Sequence, residues 1–528
     1  MDERRKIAIS AFWVSLGTLI TRIFGLFREV AMAAVFGTGV AADAFAVAFR
    51  FPNLLRYLVG EGALSAALLP KYTEVEHREG PEAAFRMASA VFSVLLSGLI
   101  IICALGIIFA PQVIGLIVIG WGEGSARRIL ATKLVRILFG FAGFIGLASY
   151  CQAILNAHRR FFVSSVAPAF MNIFWLIGAG IAGFLVPTDG PRIEIVAAFL
   201  VIGSMFQFLW QFYWIKKIGW TFSWSIKSRL RDLIEVGMLL LPSLLALASH
   251  QINYFFDVLL ASLLPGGSVS SLTYANRLLF LPLGLIGYAI ATATLPSLSE
   301  SAAREKRTEL ARLLSYTARS IFTLLLPIGL VAITLRYEIV SLLFERGNFD
   351  AARSTPMVAT ALMYYMIGLP FFGLTRGFTQ GFYALKNTIT PVAITAFGVI
   401  INIELSMIFM FYLDHGGLAL GSSITGFFNM VFLIYYLKKN LPELSIRPIL
   451  ENMFKVGVAG GLSALITWQF ASRVSSGIVF GPTIVTKLIQ LCIPSAIYFG
   501  LFLLFSKIIE IREVVEVSKR IANKFLNR

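Results

Sequence analysis

Residues 91–110 read VFSVLLSGLIIICALGIIFA, a run of twenty residues without a single charge. A helix that crosses the hydrocarbon core of a bilayer needs about 20 mostly apolar residues, so this run is long enough to cross a membrane once. It is continuous and does not alternate between apolar and polar residues, which excludes a strand of a membrane β-barrel. The stretch therefore predicts a membrane-spanning helix.

The composition extends this interpretation to the whole chain. Of its 528 residues, 58% are hydrophobic and 14% are charged, whereas soluble domains are about 45–50% apolar and about 25% charged. The mean hydropathy is +0.81. These values exclude a water-soluble protein, a disordered protein, a coiled coil and a disulfide-rich scaffold. They predict an all-α polytopic membrane protein.

About fourteen segments share the length and apolar character of residues 91–110. They lie near 7–36, 43–70, 84–118, 129–156, 162–187, 193–215, 232–264, 270–298, 309–335, 356–384, 389–413, 417–437, 450–472 and 483–506. With the N-terminus placed in the cytoplasm, the loops on that side carry most of the Lys and Arg residues, as cytoplasmic loops do. The pattern predicts an even number of spans, with both termini in the cytoplasm.

The two halves of the chain repeat several positions at a near-constant offset of 226 to 230 residues. The matched pairs are Arg50 with Arg277, Pro70 with Pro296, Gln152 with Gln380, and Asn172 with Asn402. An even number of spans per copy makes the two copies parallel. We therefore predict a six-helix N-terminal lobe at 1–220, a six-helix C-terminal lobe at 221–440, spans 13 and 14 at 441–510, and a basic amphipathic cytoplasmic tail at 511–528.

The first two predicted spans are unusually rich in charge. They contain Arg22, Arg28, Glu29, Asp43, Arg50, Arg56 and Glu61. A charge at the bilayer centre costs about 2.5–3.5 kcal/mol on insertion scales, so most of these side chains must line a cavity or pair with one another. With Arg277 from the second half, arginines outnumber the acids in reach, and the guanidinium fork binds phosphate oxygens bidentately. The cluster favours a transporter for an anion such as a diphosphate; the alternative is that the charges only anchor helices.

Two residues are candidates for helix bends beside these charges. Gly25 lies between Arg22 and Arg28 and would let the first span bend so that both arginines point inward. Pro52 is expected to break the second span next to Asn53, a further candidate for substrate binding.

Acidic residues inside later spans offer candidate coupling sites. Asp257 and Glu404 lie in the predicted seventh and eleventh spans. A paired structural role is the simpler interpretation of each, and a carboxylate that couples transport to an ion is the alternative.

No motif indicates catalysis, a metal site or nucleotide binding. HExxH, the Walker A loop, GxSxG and CxxC are all absent from the sequence. Cys103, Cys151 and Cys492 lie in apolar runs and are expected to be buried small hydrophobic residues. The net charge of +17 is what positively charged cytoplasmic loops produce, without any need for nucleic acid. We therefore expect a transporter with no bound cofactor, no metal and no nucleic-acid partner.

Several ordered motifs carry a resemblance to a known family. They are TRIFGLFRE at 21–29, AADAF at 41–45, FPNLLR at 51–56, GEGA at 60–63, LP at 69–70, YANRL at 274–278 and LPSL at 295–298. Together they closely resemble the MurJ (MviN) family of lipid II flippases, and the count of fourteen spans extends the resemblance along the chain.

The resemblance implies a fold of the multidrug/oligosaccharidyl-lipid/polysaccharide exporter superfamily. Its two six-helix lobes form a central V-shaped cavity, and two extra C-terminal helices form a groove for the lipid tail. The implied substrate is lipid II, the undecaprenyl-diphosphate-linked precursor of peptidoglycan, in the bacterial cytoplasmic (inner) membrane. Membrane lipids are further partners, together with transient contacts to the cell-wall synthesis machinery, and we expect a monomer.

The family's essential residues match this sequence position by position. The essential arginines correspond to Arg22, Arg28, Arg56 and Arg277, and the acidic positions to Asp43 and Glu61. Position 29 is Glu where many relatives have Asp, and position 50 is Arg where some have Lys, so both keep their charge. Sodium coupling is known for some relatives.

Two alternatives stay open at this point. One is a flippase or exporter for another isoprenoid-diphosphate glycan or for a drug; the other is a membrane enzyme acting on a lipid diphosphate. A drug exporter would favour acidic cavity residues, and an enzyme would need a carboxylate cluster or metal ligands at the interface. Because no nucleotide-binding motif is present, we expect the membrane potential, with or without a monovalent cation, to drive transport.

Overall fold

The computed structural model describes residues 3–56, 63–223, 229–477 and 483–515. Within these ranges all regular structure is helical. The chain divides into two compact units. Unit 1 comprises Met1–Val269 with Arg346–Phe349, and unit 2 comprises Ser270–Glu345 and Asp350–Arg528.

Unit 1 contains eleven of the described helices. They are α1 (Glu3–Phe36), α2 (Val40–Ala48), α3 (Arg50–Leu55), α4 (Ala63–Glu79), α5 (Pro81–Ile108), α6 (Ala110–Ile117), α7 (Ala126–Ala157), α8 (Phe161–Val166), α9 (Pro168–Leu185), α10 (Asp189–Lys217) and α11 (Leu230–Ser262). α7 packs against α2, α4, α5 and α10. Its residues Tyr150 and Ile154 belong to a buried apolar cluster, and the Tyr150 hydroxyl donates to the Ala88 carbonyl at 2.8 Å.

Unit 2 contains the later helices, of which α12 begins at the boundary. They are α12 (Ser268–Pro282), a π-helical segment (Leu283–Tyr288), α13 (Ala289–Ala303), α14 (Arg307–Thr334), α15 (Arg336–Phe344), α16 (Ser354–Ala384), α17 (Ile389–Asn440), α18 (Arg447–Gly477) and α19 (Ile484–Ile508). α16 packs against both α14 and α17.

Helix α17 covers two predicted spans. Asp414 interrupts it with a non-helical backbone at φ 47° and ψ −133°, so the parts on either side can fold back on each other. Gly421 lies against Ser406, because a Cβ on Gly421 would lie 2.7 Å from the Ser406 Oγ. The absence of a side chain at Gly421 therefore allows close packing of the two parts.

Ten helices in the described ranges are long and apolar enough to cross a membrane, which confirms the all-α polytopic fold. These ten include eleven of the predicted spans, since α17 holds two. The other three predicted spans correspond to α1, to the region of α2–α4 and to α11, which carry more charge or include undescribed residues. The exact number of fourteen stays a prediction, as do the lobe boundaries; compact unit 1 extends beyond the predicted boundary and includes α11.

A polar network ties the segment after α19 to two helices of unit 2. The Arg319 guanidinium of α14 pairs with Glu513 at 2.6 Å, and the two side chains are only 18% and 10% exposed. The second oxygen of Glu513 accepts a hydrogen bond from the Asn452 amide of α18 at 2.8 Å. Glu513 thus neutralises a largely buried cation on α14.

One prediction about the cysteines was wrong. Cys151 is buried and Cys103 is partly buried, but Cys492 is exposed on α19. In a helix with an apolar outer face, an exposed position can be as hydrophobic as a buried one, so sequence alone did not distinguish the two.

Candidate functional site

Arg28 of α1 is held by two side chains of unit 1. Its guanidinium donates to the Glu29 carboxylate at 2.7 Å and to the Asn172 amide oxygen at 3.1 Å. Arg28 and Glu29 are 15% and 14% exposed, and Asn172 of α9 is 3% exposed. The arginine is therefore fixed in a partly buried, hydrogen-bonded position while part of it stays accessible.

Asn172 also fastens α9 to α1 at a second point. Its amide nitrogen donates to the Thr21 carbonyl at 3.3 Å, and the Thr21 hydroxyl bonds to the carbonyls of Gly17 at 3.0 Å and Ser165 at 3.3 Å. We call this row of polar contacts, formed by Gly17, Thr21, Ser165, Asn172 and Arg28, the α1 seam. It sets the position of α1 against α8 and α9 and thereby the position of Arg28.

Asn172 was not among the predicted site residues. The signal that could have found it was the repeat match between Asn172 and Asn402, which singled out an asparagine inside an apolar span. A buried amide in such a span must satisfy its hydrogen bonds inside the protein, and Arg28 and the Thr21 carbonyl are its partners.

The other predicted residues of α1 are close to the seam. Arg22 is exposed. Gly25 lies one turn from Thr21, and a Cβ at Gly25 would lie 3.9 Å from the Asn172 amide nitrogen. α1 is continuous from Glu3 to Phe36 through Gly25, so the hinge role of Gly25 stays a prediction.

The helix is interrupted near Pro52, at Phe49 and not next to Asn53 as the sequence predicted. α2 ends at Ala48 and α3 begins at Arg50, with Phe49 between them. Pro52 has no N–H to donate to the carbonyl four residues earlier, which accounts for a break at this point. In α3 the Asn53 amide oxygen accepts a hydrogen bond from Arg56 Nε at 2.8 Å. Glu61 lies outside the described residues.

Asp43 and Arg50 have clear structural surroundings. Asp43 is 1% exposed, lies in the first turn of α2, and accepts a hydrogen bond from the Gly267 backbone N–H at 2.7 Å. A carboxylate is favoured at a helix N-terminus by the helix dipole. The Arg50 guanidinium carbon lies 5.2 Å above the ring of Tyr254 in α11. These contacts join α2 and α3 to α11 and to the loop after it.

The candidate residues farther along the chain lie in both units. Arg277 is exposed on α12, and Glu404 is exposed on α17, both in unit 2. Asp257 is half-buried on α11 in unit 1. Among the described residues, no group of three or more His, Cys, Asp or Glu side chains could hold a metal ion.

A further arginine lies in unit 2. The Arg376 guanidinium carbon of α16 is 4.7 Å from the centre of the Tyr288 ring. Tyr288 ends the π-helical segment that follows Pro282 and Arg277 in the chain.

A titratable pair lies at the end of α7, beside the start of α8. The Tyr72 hydroxyl and His158 Nε2 are 2.9 Å apart, and the Phe85 ring lies 6.3 Å from the imidazole. Burial lowers the pKa of His158 from its ordinary value, and Arg160 adds to this effect while Glu76 opposes it. The neutral imidazole is therefore the form that the folded chain favours.

An ion-pair network joins α4 to the start of α11 in unit 1. Lys71 pairs with Glu235 at 2.5 Å and with Asp232 at 3.4 Å, and Arg229 contacts Glu79 at 2.7 Å. The hydrogen bond with Glu235 raises the pKa of Lys71. The network thus keeps Lys71 charged at neutral pH.

The family model described as "Lipid II flippase MurJ" matches residues 32–489 of the chain. A probable lipid II flippase MurJ of Vibrio cholerae is 32% identical over 518 residues, which are 95% of this chain and 96% of that protein. The lipid II flippase MurJ of Burkholderia cenocepacia is 31% identical over 507 residues, covering 94% and 96%.

Solved structures give the same result for the fold. A lipid II flippase MurJ in an inward closed conformation matches with a TM-score of 0.76 and 27% identity, covering 94% of this chain and 98% of that one. An inward-facing multidrug resistance transporter of the MATE family and MOP superfamily matches with a TM-score of 0.67 and 19% identity, covering 80% and 95%. The second match shows the fold alone. A family model over most of the length and relatives above 30% identity over nearly the whole chain confirm the resemblance: the chain belongs to the MurJ family of lipid II flippases.

Proposed function

We propose that this protein moves lipid II from the inner to the outer leaflet of the cytoplasmic membrane by alternating access, for cell-wall synthesis. The observation that carries the proposal is Arg28, a partly buried guanidinium held in place by Asn172 and Glu29. An arginine fixed in this way can exchange its bond to a carboxylate for bonds to phosphate oxygens without losing its position.

The substrate-binding roles are part of the proposal. The arginines predicted from the sequence bind the diphosphate, namely Arg22, Arg28, Arg56 and Arg277. Arg56 is oriented by Asn53. Supporting charges come from Arg50 and from three acids that balance the arginines while the site is empty, namely Glu29, Asp43 and Glu61. Gly25 and Pro52 act as hinges when α1 and α2–α3 change position during the cycle.

The protein is a transporter rather than an enzyme in this proposal. Its family consists of flippases, and a lipid-diphosphate enzyme would need a carboxylate cluster or metal ligands near the site. A flippase for another isoprenoid-diphosphate glycan is the second candidate, because the same arginines would bind the same diphosphate.

The energy source follows from the charge of the cargo. Lipid II carries a diphosphate and peptide carboxylates, and outward movement of an anion from a negative cytoplasm is favourable by about 2.3 kcal/mol per charge per 100 mV. The membrane potential therefore drives the loaded step, and the unloaded arginines return toward the negative side. A monovalent cation bound by Asp257 or Glu404 is the alternative coupling.

The remaining assignments complete the proposal. Both termini lie in the cytoplasm, the protein works as a monomer, and it contacts the cell-wall synthesis machinery transiently. The helices α18 and α19 hold the polyprenyl tail, because exposed apolar side chains such as Phe454, Leu465 and Leu504 offer a surface on which an apolar chain is more stable than in a polar cavity.

Two experiments test the proposal. Depletion of the protein in cells should leave lipid II in the inner leaflet, where an enzyme added from outside cannot reach it. Purified protein in proteoliposomes should move lipid II to the outer face without altering it chemically. Chemical conversion of the lipid would support an enzyme, and unchanged leaflet distribution after depletion would exclude lipid II as the cargo.

A further inference from the structure

Arg376 has no acidic partner in the part of the chain that the structure describes. It is half-buried in the apolar helix α16, and within the described residues its one specific contact is the Tyr288 ring. Arg28 and Arg319, in contrast, each pair with a glutamate. An ionisable side chain inside a membrane helix is costly, and one without a counter-charge marks a candidate functional position.

The surroundings of Tyr288 fix the position of its ring. Tyr288 ends the π-helical segment Leu283–Tyr288, and such segments are frequent at functional sites. The preceding Gly287 faces Gly373 of α16, since a Cβ on Gly287 would lie 3.4 Å from the Gly373 Cα. Two glycines thus let the π segment and α16 approach closely, which brings Tyr288 beneath Arg376.

The ring leaves the binding edge of the guanidinium available. A stacked ring covers one face, whereas the five N–H donors of arginine lie in the plane and point outward from its edge. One helical turn later, the Gln380 side-chain oxygen is buried and has no hydrogen-bond donor within the described part of the chain. Positions 376 and 380 share a helical face. The site therefore offers donors for an anion beside an acceptor for an N–H group.

We propose that Arg376, Tyr288 and Gln380 form a subsite for a carboxylate and adjacent amide of the substrate's headgroup peptide. A diphosphate would satisfy the arginine but has no N–H group for Gln380, whereas a peptide end has both. Arg277 and Tyr288 are eleven residues apart in the chain, about 16 Å at the helical rise of about 1.5 Å per residue. One diphosphate cannot span that separation. The inference rests on the proposed function and adds a peptide-specific contact to it.

The test compares lipid II with a ligand that has the same diphosphate and tail but lacks the headgroup sugar and peptide. Purified full-length protein in nanodiscs of neutral lipid is titrated with lipid II and with undecaprenyl diphosphate, which lacks the sugar and the peptide. Arg376→Gln should weaken lipid II binding about tenfold, as loss of a charge-assisted pair does, and should leave undecaprenyl diphosphate binding unchanged. Arg304→Gln is the matched control, because Arg304 is exposed and pairs with Glu300 on the surface of unit 2.

Each other outcome has a defined meaning. Equal weakening for both ligands would place the diphosphate at Arg376 and overturn the peptide subsite. No change for either ligand would also overturn it and leave Arg376 with a purely structural role. A third titration uses phosphatidylglycerol. If Arg376→Gln weakens the binding of this lipid alone, the site binds bilayer lipid and the peptide subsite is overturned. Wild-type protein that binds no lipid II would instead contradict the proposed function itself. Thermal unfolding of each variant separates loss of binding from loss of fold.

Discussion

Arg28 in unit 1 and Arg376 in unit 2 are both partly buried arginines inside predicted membrane spans, but they are held in different ways. Arg28 donates to a carboxylate and to an amide oxygen, so two of its five N–H donors are already used. Arg376 is held from one face by an aromatic ring, so its donors are free of described partners. The comparison indicates that an anion competes with Glu29 for the guanidinium at the first site, whereas no carboxylate within the described residues competes for it at the second. The first arrangement suits a site that must release its cargo, and the second suits recognition.

The largest effect is expected at Arg28. Arg28→Ala should lower lipid II affinity about a hundredfold, because it removes a charged partner of the anion and leaves Glu29 without its cation. Arg28→Lys should restore little of it, since a single ammonium cannot bond Glu29 and Asn172 in the fork geometry. The measurement is lipid II binding, together with growth of depleted cells. Arg78→Ala, at an exposed surface pair with Glu74, is the control. A lysine variant with wild-type affinity would contradict the fork model.

A smaller effect is expected at Asn172. Asn172→Ala removes one hydrogen bond to a charged group and should weaken binding about tenfold, with normal protein levels in the membrane. Asn172→Asp should weaken it further, because a second carboxylate beside Arg28 competes with the substrate. Because only the Asp variant adds a negative charge, the order of the two lipid II affinities is the informative result. If Asp binds better than Ala, Asn172 is not a positioning residue for Arg28.

A still smaller effect is expected at Tyr288, whose ring contacts Arg376 in unit 2. Tyr288→Leu should weaken lipid II binding about threefold, as loss of a cation–π contact does, while Tyr288→Phe keeps the ring and should bind normally. Neither change should affect Arg28, so the binding of undecaprenyl diphosphate provides the internal reference. Loss of binding in the Phe variant would assign the role to the hydroxyl group and contradict ring stacking.

The smallest effect is a pH dependence confined to unit 1. Because burial lowers the pKa of folded His158 below its ordinary value of 6.5, the unfolded chain binds more protons between these two values. Its contribution to stability is therefore complete above pH 6.5 and is lost as the pH falls toward the folded pKa. His158 lies next to α8, which carries Ser165 of the α1 seam, so acid should loosen Arg28 and leave Arg376 unaffected.

Thermal unfolding and undecaprenyl diphosphate binding, measured between pH 7.5 and 5, check this expectation. The dependence should disappear in His158→Gln and persist in His77→Gln, because His77 is exposed. An unchanged pH profile in His158→Gln would assign the effect to another group.

The fold was predictable because the length of an apolar run is a direct requirement of the bilayer. The uncharged run at 91–110 was enough to predict α5, and the same length criterion located α7, α10 and α14. It could not distinguish the outer face of α19 from a buried surface, since lipid and protein interiors are equally apolar, and Cys492 was misplaced for that reason. The criterion is also weak for α1 and α11, where charge interrupts the apolar pattern.

The site was predictable in its residue types but not in its contacts. Charge at Arg28 and Arg277 is visible in one sequence, because any charge inside a span is unusual. The partner of Arg28 was not visible, since Asn172 is 144 residues away and no sequence pattern links the two positions. Arg376 is a charge inside a predicted span as well, and only the positions of Tyr288 and Gln380 suggested a role for it.

The contact between Arg319 and Glu513 has a practical consequence for protein engineering. Because Glu513 is the counter-charge of a largely buried arginine, removing it would leave an uncompensated cation, at a cost of about 3–5 kcal/mol. A series of C-terminal truncations should therefore show a sharp threshold in expression at position 513 rather than a gradual decline. Affinity tags and fluorescent reporters should accordingly be fused after residue 515, where they leave the ion pair between Arg319 and Glu513 intact.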